Sequence, residues 1–134
     1  MKRINRESYT KRILDLLGKN EVIVLTGHRR AGKSCILECL KDLLHDSGNM
    51  MYLDMEDPDN ASITTFEHLN AWIKEHISND KRNYILIDEI QEIKEFEKTL
   101  RYWIKQDNID IIVTGSNAMM LSSDIASVFA GRYI

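Results

Sequence analysis

Four short apolar runs, separated by longer amphipathic segments, constrain what this chain can fold into more than any other feature. We predict strands over residues 21–27, 50–57, 84–90 and 109–115. Each run is apolar at its centre with little alternation, which is typical of strands buried on both faces of a parallel sheet. The segments between them carry apolar residues at helical spacing and are long enough for crossover connections. The sequence therefore predicts an α/β domain with a doubly wound parallel sheet.

Length and composition indicate one ordinary globular domain, which we assign to residues 1–134. An opening helix is expected over residues 6–17, with Gly18 as its C-terminal stop. The net charge of −3 does not favour strong electrostatic attraction to nucleic acid. No apolar run approaches the roughly 20 residues that span a bilayer, and the basic start lacks the apolar region of a secretory signal. We therefore expect a cytoplasmic protein without a membrane partner.

The segment after the first predicted strand has the G-x-x-x-x-G-K-[ST] pattern of a phosphate-binding loop, from Gly27 to Ser34. Glycines let the backbone approach a polyphosphate closely, so that main-chain N–H groups and the positive end of the following helix face the anion. Lys33 is expected to bridge the β- and γ-phosphates of ATP, and the Ser34 hydroxyl to bind Mg²⁺. The candidates for contacting the nucleotide are Gly27, Arg29, Arg30, Ala31, Gly32, Lys33, Ser34 and Cys35.

Two acidic residues, Asp88 and Glu89, follow the third apolar run. Ligands of open α/β sheets bind beyond the carboxyl ends of the strands, where this pair is expected to lie. We predict that Asp88 holds Mg²⁺ and that Glu89 orients and deprotonates the attacking water. The alternative is an ordinary polar strand end, which the nearby phosphate-loop pattern disfavours.

Ser116 and Asn117 follow the fourth predicted strand and are candidates for a hydrogen bond near the γ-phosphate. A plain turn is the competing interpretation, because Gly, Ser and Asn are common turn residues. Asp54, Glu56 and Asp57 end the second run, where a polar rim is favoured over contact with the nucleotide. Cys35 and Cys39 lie four residues apart on one predicted helix, a spacing that suits neither a disulfide nor a zinc site.

Taken together, "VIVLTGHRRAGKSCIL", "YILIDEIQ", "IIVTGSNAMML" and "IASVFAGRYI" resemble prokaryotic AAA-type ATPases of the ASCE division of P-loop proteins. In that family an ATPase domain precedes an uncharacterised C-terminal domain. The resemblance implies a three-layer P-loop fold with strand order 5-1-4-3-2, and ATP with Mg²⁺ as ligands. It also implies that Ser116 or Asn117 is the sensor residue, and that Arg132 is an arginine finger acting on a neighbouring copy in a homo-oligomer. For Arg132 the competing interpretation is a helix-end arginine favoured by the helix dipole. The fifth strand and the lid are largely missing, so we expect a fragment of a longer chain.

Three functions are compatible with these residues. An ATP hydrolase that drives or gates a domain or partner outside the chain is favoured, and a nucleic acid or protein partner would then contact the region beyond Ile134. The second is a nucleotide-dependent switch, binding ATP or ADP with negligible turnover. The third, a small-molecule kinase, is less favoured because the acidic pair and the polar residues after the fourth strand suit attack by water.

Overall fold

The four apolar runs form one parallel sheet in a computed structural model, which describes residues 10–19, 22–26 and 33–116. The strands are β1 (Val22–Leu25), β2 (Asn49–Asp54), β3 (Asn83–Asp88) and β4 (Ile109–Thr114). Their order is β1-β4-β3-β2, and every neighbouring pair is parallel. The predicted α/β class and the 1-4-3-2 part of the strand order are confirmed. The expected fifth strand falls outside the described residues.

In the part of the chain that the structure describes, four α-helices cover the two faces of this sheet, as crossover connections between parallel strands require. Helix α1 spans residues 10–16 of the described chain and is followed by Gly18, whose φ of 88° is the left-handed conformation typical of a helix stop. The other three are α2 (Lys33–Leu44), α3 (Phe66–His76) and α4 (Phe96–Trp103). Within the described ranges, no helix is long and apolar enough to cross a bilayer.

The alternation of side chains along each strand divides the core into two parts. Ile23, Leu86 and Ile112 pack with α1 and α2 on one face of the sheet. Val24 and Val113 pack with α3 and α4 on the other face. Each fully buried aliphatic side chain contributes about 1.5–3 kcal/mol relative to an exposed one. Because side chains two residues apart share a face, the last residues of β3 and β4 lie on the face that α2 covers.

Buried polar groups fasten the amino end of the sheet. The Asp110 carboxylate, only 1% exposed, accepts hydrogen bonds from the Gly18 N–H (3.1 Å) and from Arg82 Nε (2.9 Å). On β3, the fully buried Asn83 side chain accepts from the Ser78 N–H (2.9 Å) and donates to the Ser78 carbonyl (2.9 Å). These bonds tie the end of α1 and the loop before β3 to the central strands.

Candidate active site

Asp88 is the last residue of β3, which lies in the interior of the sheet between β4 and β2. Its side chain is 2% exposed, and the next residue, Glu89, is 7% exposed. Beside them, β4 pairs with β1, and the Gly115 N–H donates to the Leu25 carbonyl (3.2 Å) just beyond the two strand ends. The predicted acidic pair is thus buried at the carboxyl end of the sheet, where β4 separates it from β1, the strand that leads into the phosphate-loop sequence.

Thr114, the last residue of β4, joins the two acidic residues. Its hydroxyl donates to Asp88 Oδ1 (2.5 Å) and accepts from the Glu89 main-chain N–H (2.8 Å). The side chain is fully buried on the face that α2 covers. On the opposite side, the Met55 N–H donates to the Asp88 carbonyl (3.1 Å). Neighbouring strands therefore fix the junction between Asp88 and Glu89 from both sides.

The chain leaves β3 through a residue with left-handed backbone geometry. Glu89 has φ 59° and ψ 53°, and a 3-10 turn follows over Ile90–Glu92. The strand predicted over 84–90 therefore ends two residues early, because Ile90 is buried as part of this turn instead of extending the strand. A non-glycine residue rarely adopts positive φ, since its Cβ crowds the backbone. Glu95 and Asn108 also have positive φ, so this geometry fixes where β3 ends and is not specific to the site.

Gln91 lies in that turn, and its side chain reaches back to Glu89. Gln91 Nε2 donates to Glu89 Oε1 over 2.6 Å. The other end of the amide, Gln91 Oε1, is buried and has no hydrogen-bond partner within the described part of the chain. The Glu89 carboxylate is thus oriented by a side chain that leaves one of its own polar atoms unsatisfied.

The acidic residues at the end of β2 form the rim of the site. Asp54 pairs in register with Asp88, but its Oδ1 accepts from the Glu56 N–H (2.9 Å) and so shapes the turn that follows. This arrangement agrees with the polar-rim interpretation. Two residues earlier, burial and then the nearby Glu38 carboxylate raise the pKa of Tyr52, so the phenol stays protonated. Lys41 Nζ of α2 lies 5.0 Å from the centre of the same ring.

The structure describes part of the predicted site. Asp88, Glu89 and the half-buried Ser116 lie at the carboxyl end of the sheet. Lys33 begins α2, with Ser34 and the exposed Cys35 in its first turn. The other predicted site residues lie outside the described residues, and their roles stay predictions: Gly27, Arg29, Arg30, Ala31, Gly32, Asn117 and Arg132.

Sequence reasoning missed two side chains of this site, Thr114 and Gln91. The signal for Thr114 was available, because it is the polar residue that closes an otherwise apolar run beside the acidic pair. Gln91 could not be found in this way, since its contact depends on the turn that starts at Glu89.

Comparisons with known proteins agree with this architecture. A sequence model of a family described as "AAA domain" matches residues 19–134. An uncharacterized protein of Haemophilus influenzae is 32% identical over 98% of this chain, and the uncharacterized protein MJ1544 of Methanocaldococcus jannaschii is 30% identical over 96%. The chain spans only 34% and 27% of the lengths of these two relatives.

Among solved structures, that of Caenorhabditis elegans PCH-2 superposes with a TM-score of 0.59 at 17% identity, covering 92% of this chain and 37% of PCH-2. At that level of identity the likeness concerns the fold. The family match, in contrast, extends over most of the chain and includes the phosphate-loop sequence and the acidic pair. The protein therefore belongs to the AAA domain family and is a nucleotide-binding domain of the ATPase type.

Proposed function

We propose that this domain binds ATP with Mg²⁺ and hydrolyses it to ADP and phosphate. The observation that carries the proposal is the buried pair Asp88 and Glu89, held by Thr114 at the carboxyl end of an interior strand. Water attack on a phosphoryl group needs one carboxylate for the metal and one for the nucleophile. Two adjacent acidic residues with separately fixed orientations meet that need.

The nucleotide would be bound by the phosphate loop and by the start of α2. This helix begins at Lys33 and has 12 residues, so its unpaired N–H groups and partial positive charge would stabilise phosphate oxygens. Lys33 would add an ammonium group near the β- and γ-phosphates, and the glycines at 27 and 32 would allow close approach of the main chain. Cys35, in the first turn of α2, would also lie beside the phosphates.

The residues present fit a magnesium ion. Mg²⁺ prefers hard oxygen ligands, such as one or two carboxylate or hydroxyl groups together with substrate phosphates. The buried Asp88 carboxylate, oriented by the Thr114 hydroxyl, and the Ser34 hydroxyl would supply such ligands. When bound, the ion would neutralise charge on the phosphates.

Glu89 would accept the proton of the attacking water. Ser116 and Asn117 would hydrogen-bond near the γ-phosphate, since β4 ends at Thr114, two residues before Ser116. Arg132 of a neighbouring copy would stabilise the charge that develops on the transferred phosphoryl group, which makes a homo-oligomer part of the proposal. The chain spans only about a third of the length of its relatives. The hydrolysis cycle would therefore drive or gate a further domain, or a protein or nucleic acid partner. A cytoplasmic location remains a prediction.

The experiment compares Glu89→Gln with Glu92→Gln in the full-length protein. Both make the same chemical change in the same turn, but Glu92 is exposed. We expect both variants to bind Mg-ATP in calorimetry and only Glu89→Gln to lose hydrolysis, by roughly 10²- to 10⁴-fold. Lys33→Ala should lose binding itself.

Each contrary outcome has a distinct meaning. No binding of ATP by the unmodified protein at millimolar concentration would refute the proposal. Binding with retention of nucleotide and almost no release of phosphate in single turnover would indicate the switch. Phosphate transfer to an added nucleoside or nucleotide, with little transfer to water, would indicate the kinase.

A further inference from the structure

We propose that Gln91 is a positioning residue, which fixes the carboxylate of Glu89 for proton abstraction. The inference deepens the proposed hydrolysis and rests on it, because Gln91 acts only through Glu89. Its basis is the side-chain hydrogen bond between these two residues and the cost at which the fold maintains it.

The hydrogen bond is short and its direction is determined by chemistry. Gln91 Nε2 lies 2.6 Å from Glu89 Oε1, just under the roughly 2.7–2.9 Å usual for charge-assisted bonds between nitrogen and a carboxylate. An ionised carboxylate can only accept, whereas an amide carries its donors on nitrogen alone. The amide nitrogen must therefore face Glu89, because the opposite orientation would place two acceptor oxygens against each other.

The other end of the same amide shows what this orientation costs. Gln91 Oε1 is buried without a hydrogen-bond partner, and it is the one side-chain atom in that state within the described residues. A buried orphan acceptor is destabilising, and in a native protein it calls for an explanation. The orientation of Gln91 satisfies Glu89 and leaves its own carbonyl unsatisfied, which is expected of a residue retained for its effect on the carboxylate.

The main chain between the two residues is held in place independently of their side chains. The Glu92 N–H donates to the Glu89 carbonyl (3.2 Å), and the Ile93 N–H donates to the Ile90 carbonyl (3.0 Å). Ile90 and Ile93 are buried in the core beneath α3 and α4. Loss of the Gln91 amide should therefore leave the turn intact and free only the Glu89 carboxylate to rotate.

This separation predicts a specific kinetic effect. A catalytic group displaced by about 1 Å loses up to roughly 10²-fold in rate. Gln91 has no place in the proposed nucleotide cradle, so ATP affinity should not depend on it. A loss confined to kcat is the signature of an interaction that matters only in the transition state.

The test is Gln91→Met in the full-length protein, with Gln106→Met as the matched control. Methionine keeps the length of glutamine and removes both polar ends, and Gln106 is an exposed glutamine outside the site. We expect Gln91→Met to lower kcat by roughly 10- to 100-fold with unchanged calorimetric affinity for Mg-ATP. Its Tm should change little, because loss of the hydrogen bond to the Glu89 carboxylate is offset by removal of the orphan carbonyl. Gln106→Met should change none of these quantities.

The second arm repeats the substitution in the Glu89→Gln background. If Gln91 acts through Glu89, then adding Gln91→Met there lowers the single-turnover rate no further. An equal loss in both backgrounds, an unchanged kcat, or a fall in Tm that accounts for the lost activity would each overturn the proposal.

A third arm does not depend on turnover. If the protein binds but does not hydrolyse ATP, the proposed hydrolysis is refuted, but the contact between Gln91 and Glu89 can still be tested. NMR of the nitrogen-labelled Gln91 side-chain amide measures that contact directly. A displaced amide resonance in Glu89→Gln, absent from Glu92→Gln, supports the positioning of the carboxylate. Identical amide resonances in all three proteins would overturn it.

Discussion

Replacement of Thr114 by valine tests the arrangement that holds the acidic pair. Valine has the shape of threonine without the hydroxyl, so it removes two hydrogen bonds without creating a cavity. The Glu89 N–H loses its acceptor, and Asp88 Oδ1 loses a donor, both in a buried site. An unsatisfied buried N–H costs about 1–3 kcal/mol and a hydrogen bond to a charged group contributes about 1.5–3 kcal/mol, so the expected loss of unfolding free energy is roughly 3–5 kcal/mol.

Thr99→Val is the matched control, since it makes the same change at an equally buried position. The Thr99 hydroxyl donates only to the Phe66 carbonyl (2.9 Å), on the far side of the sheet from Thr114. A carbonyl has two acceptor sites, and loss of one neutral bond costs about 1 kcal/mol. Urea unfolding at equal m-values measures the loss of unfolding free energy in both variants. Calorimetry measures their affinity for Mg-ATP.

We expect the affinity for ATP in magnesium to fall in Thr114→Val and to stay unchanged in Thr99→Val. Thr114→Ser keeps the hydroxyl and should recover most of both losses. The reasoning is refuted if Thr114→Val is no less stable than Thr99→Val. Unchanged Mg-ATP affinity in Thr114→Val would separately show that the hydroxyl does not support Asp88 in metal binding.

Three further predictions concern stability. Gly48→Ala should cost about 3 kcal/mol of unfolding free energy in urea, because a Cβ there would lie 2.3 Å from the Arg82 carbonyl oxygen. Gly18→Ala should cost only about 1 kcal/mol, since its φ of 88° is strained for alanine but the space around it is open. The reverse ranking would contradict the steric argument. Asp110→Asn should cost roughly 3 kcal/mol by leaving the Arg82 guanidinium without its buried carboxylate, and an unchanged urea midpoint would contradict this. Burial raises the pKa of Tyr52 above its usual 10.0, so its contribution to folding stability is present below pH 10 and is lost as pH rises further. Tyr52→Phe should therefore lose less unfolding free energy than the unmodified protein between about pH 10 and 11. Parallel curves of stability against pH would refute the assignment.

The sequence predicts the sheet because a continuous apolar run directly indicates a strand that is buried on both faces. Residues such as Ile87 and Val113 lie in strands covered on both faces, and such strands leave a continuous apolar signal. The carboxyl ends of parallel strands then have to meet at one end of the sheet. For that reason the position of Asp88 after the third run is enough to predict that it lies at the carboxyl end of the sheet.

The end of β3 was beyond such reasoning. The apolar pattern continues through Ile90, which is fully buried, so the run looks like a strand to that point. In the structure Ile90 reaches the core from a 3-10 turn, after Glu89 has turned the chain through positive φ. Burial alone does not distinguish the two geometries. What does distinguish them is the Thr114 hydroxyl bound to the Glu89 N–H, a contact between residues 25 positions apart.

The two ends of the sheet differ in how their buried polar groups are satisfied, and this difference separates stability from function. At the amino end, the Asp110 carboxylate and the Asn83 amide find partners at ordinary geometry. At the carboxyl end, Gln91 keeps an orphan carbonyl. A fold selected for stability alone would relieve this cost, because one substitution can remove it. An orphan acceptor three residues from Asp88 is expected at a functional site. A change at the amino end should therefore lower unfolding free energy and leave Mg-ATP affinity intact, and Asp110→Asn with weakened affinity while still folded would contradict that separation.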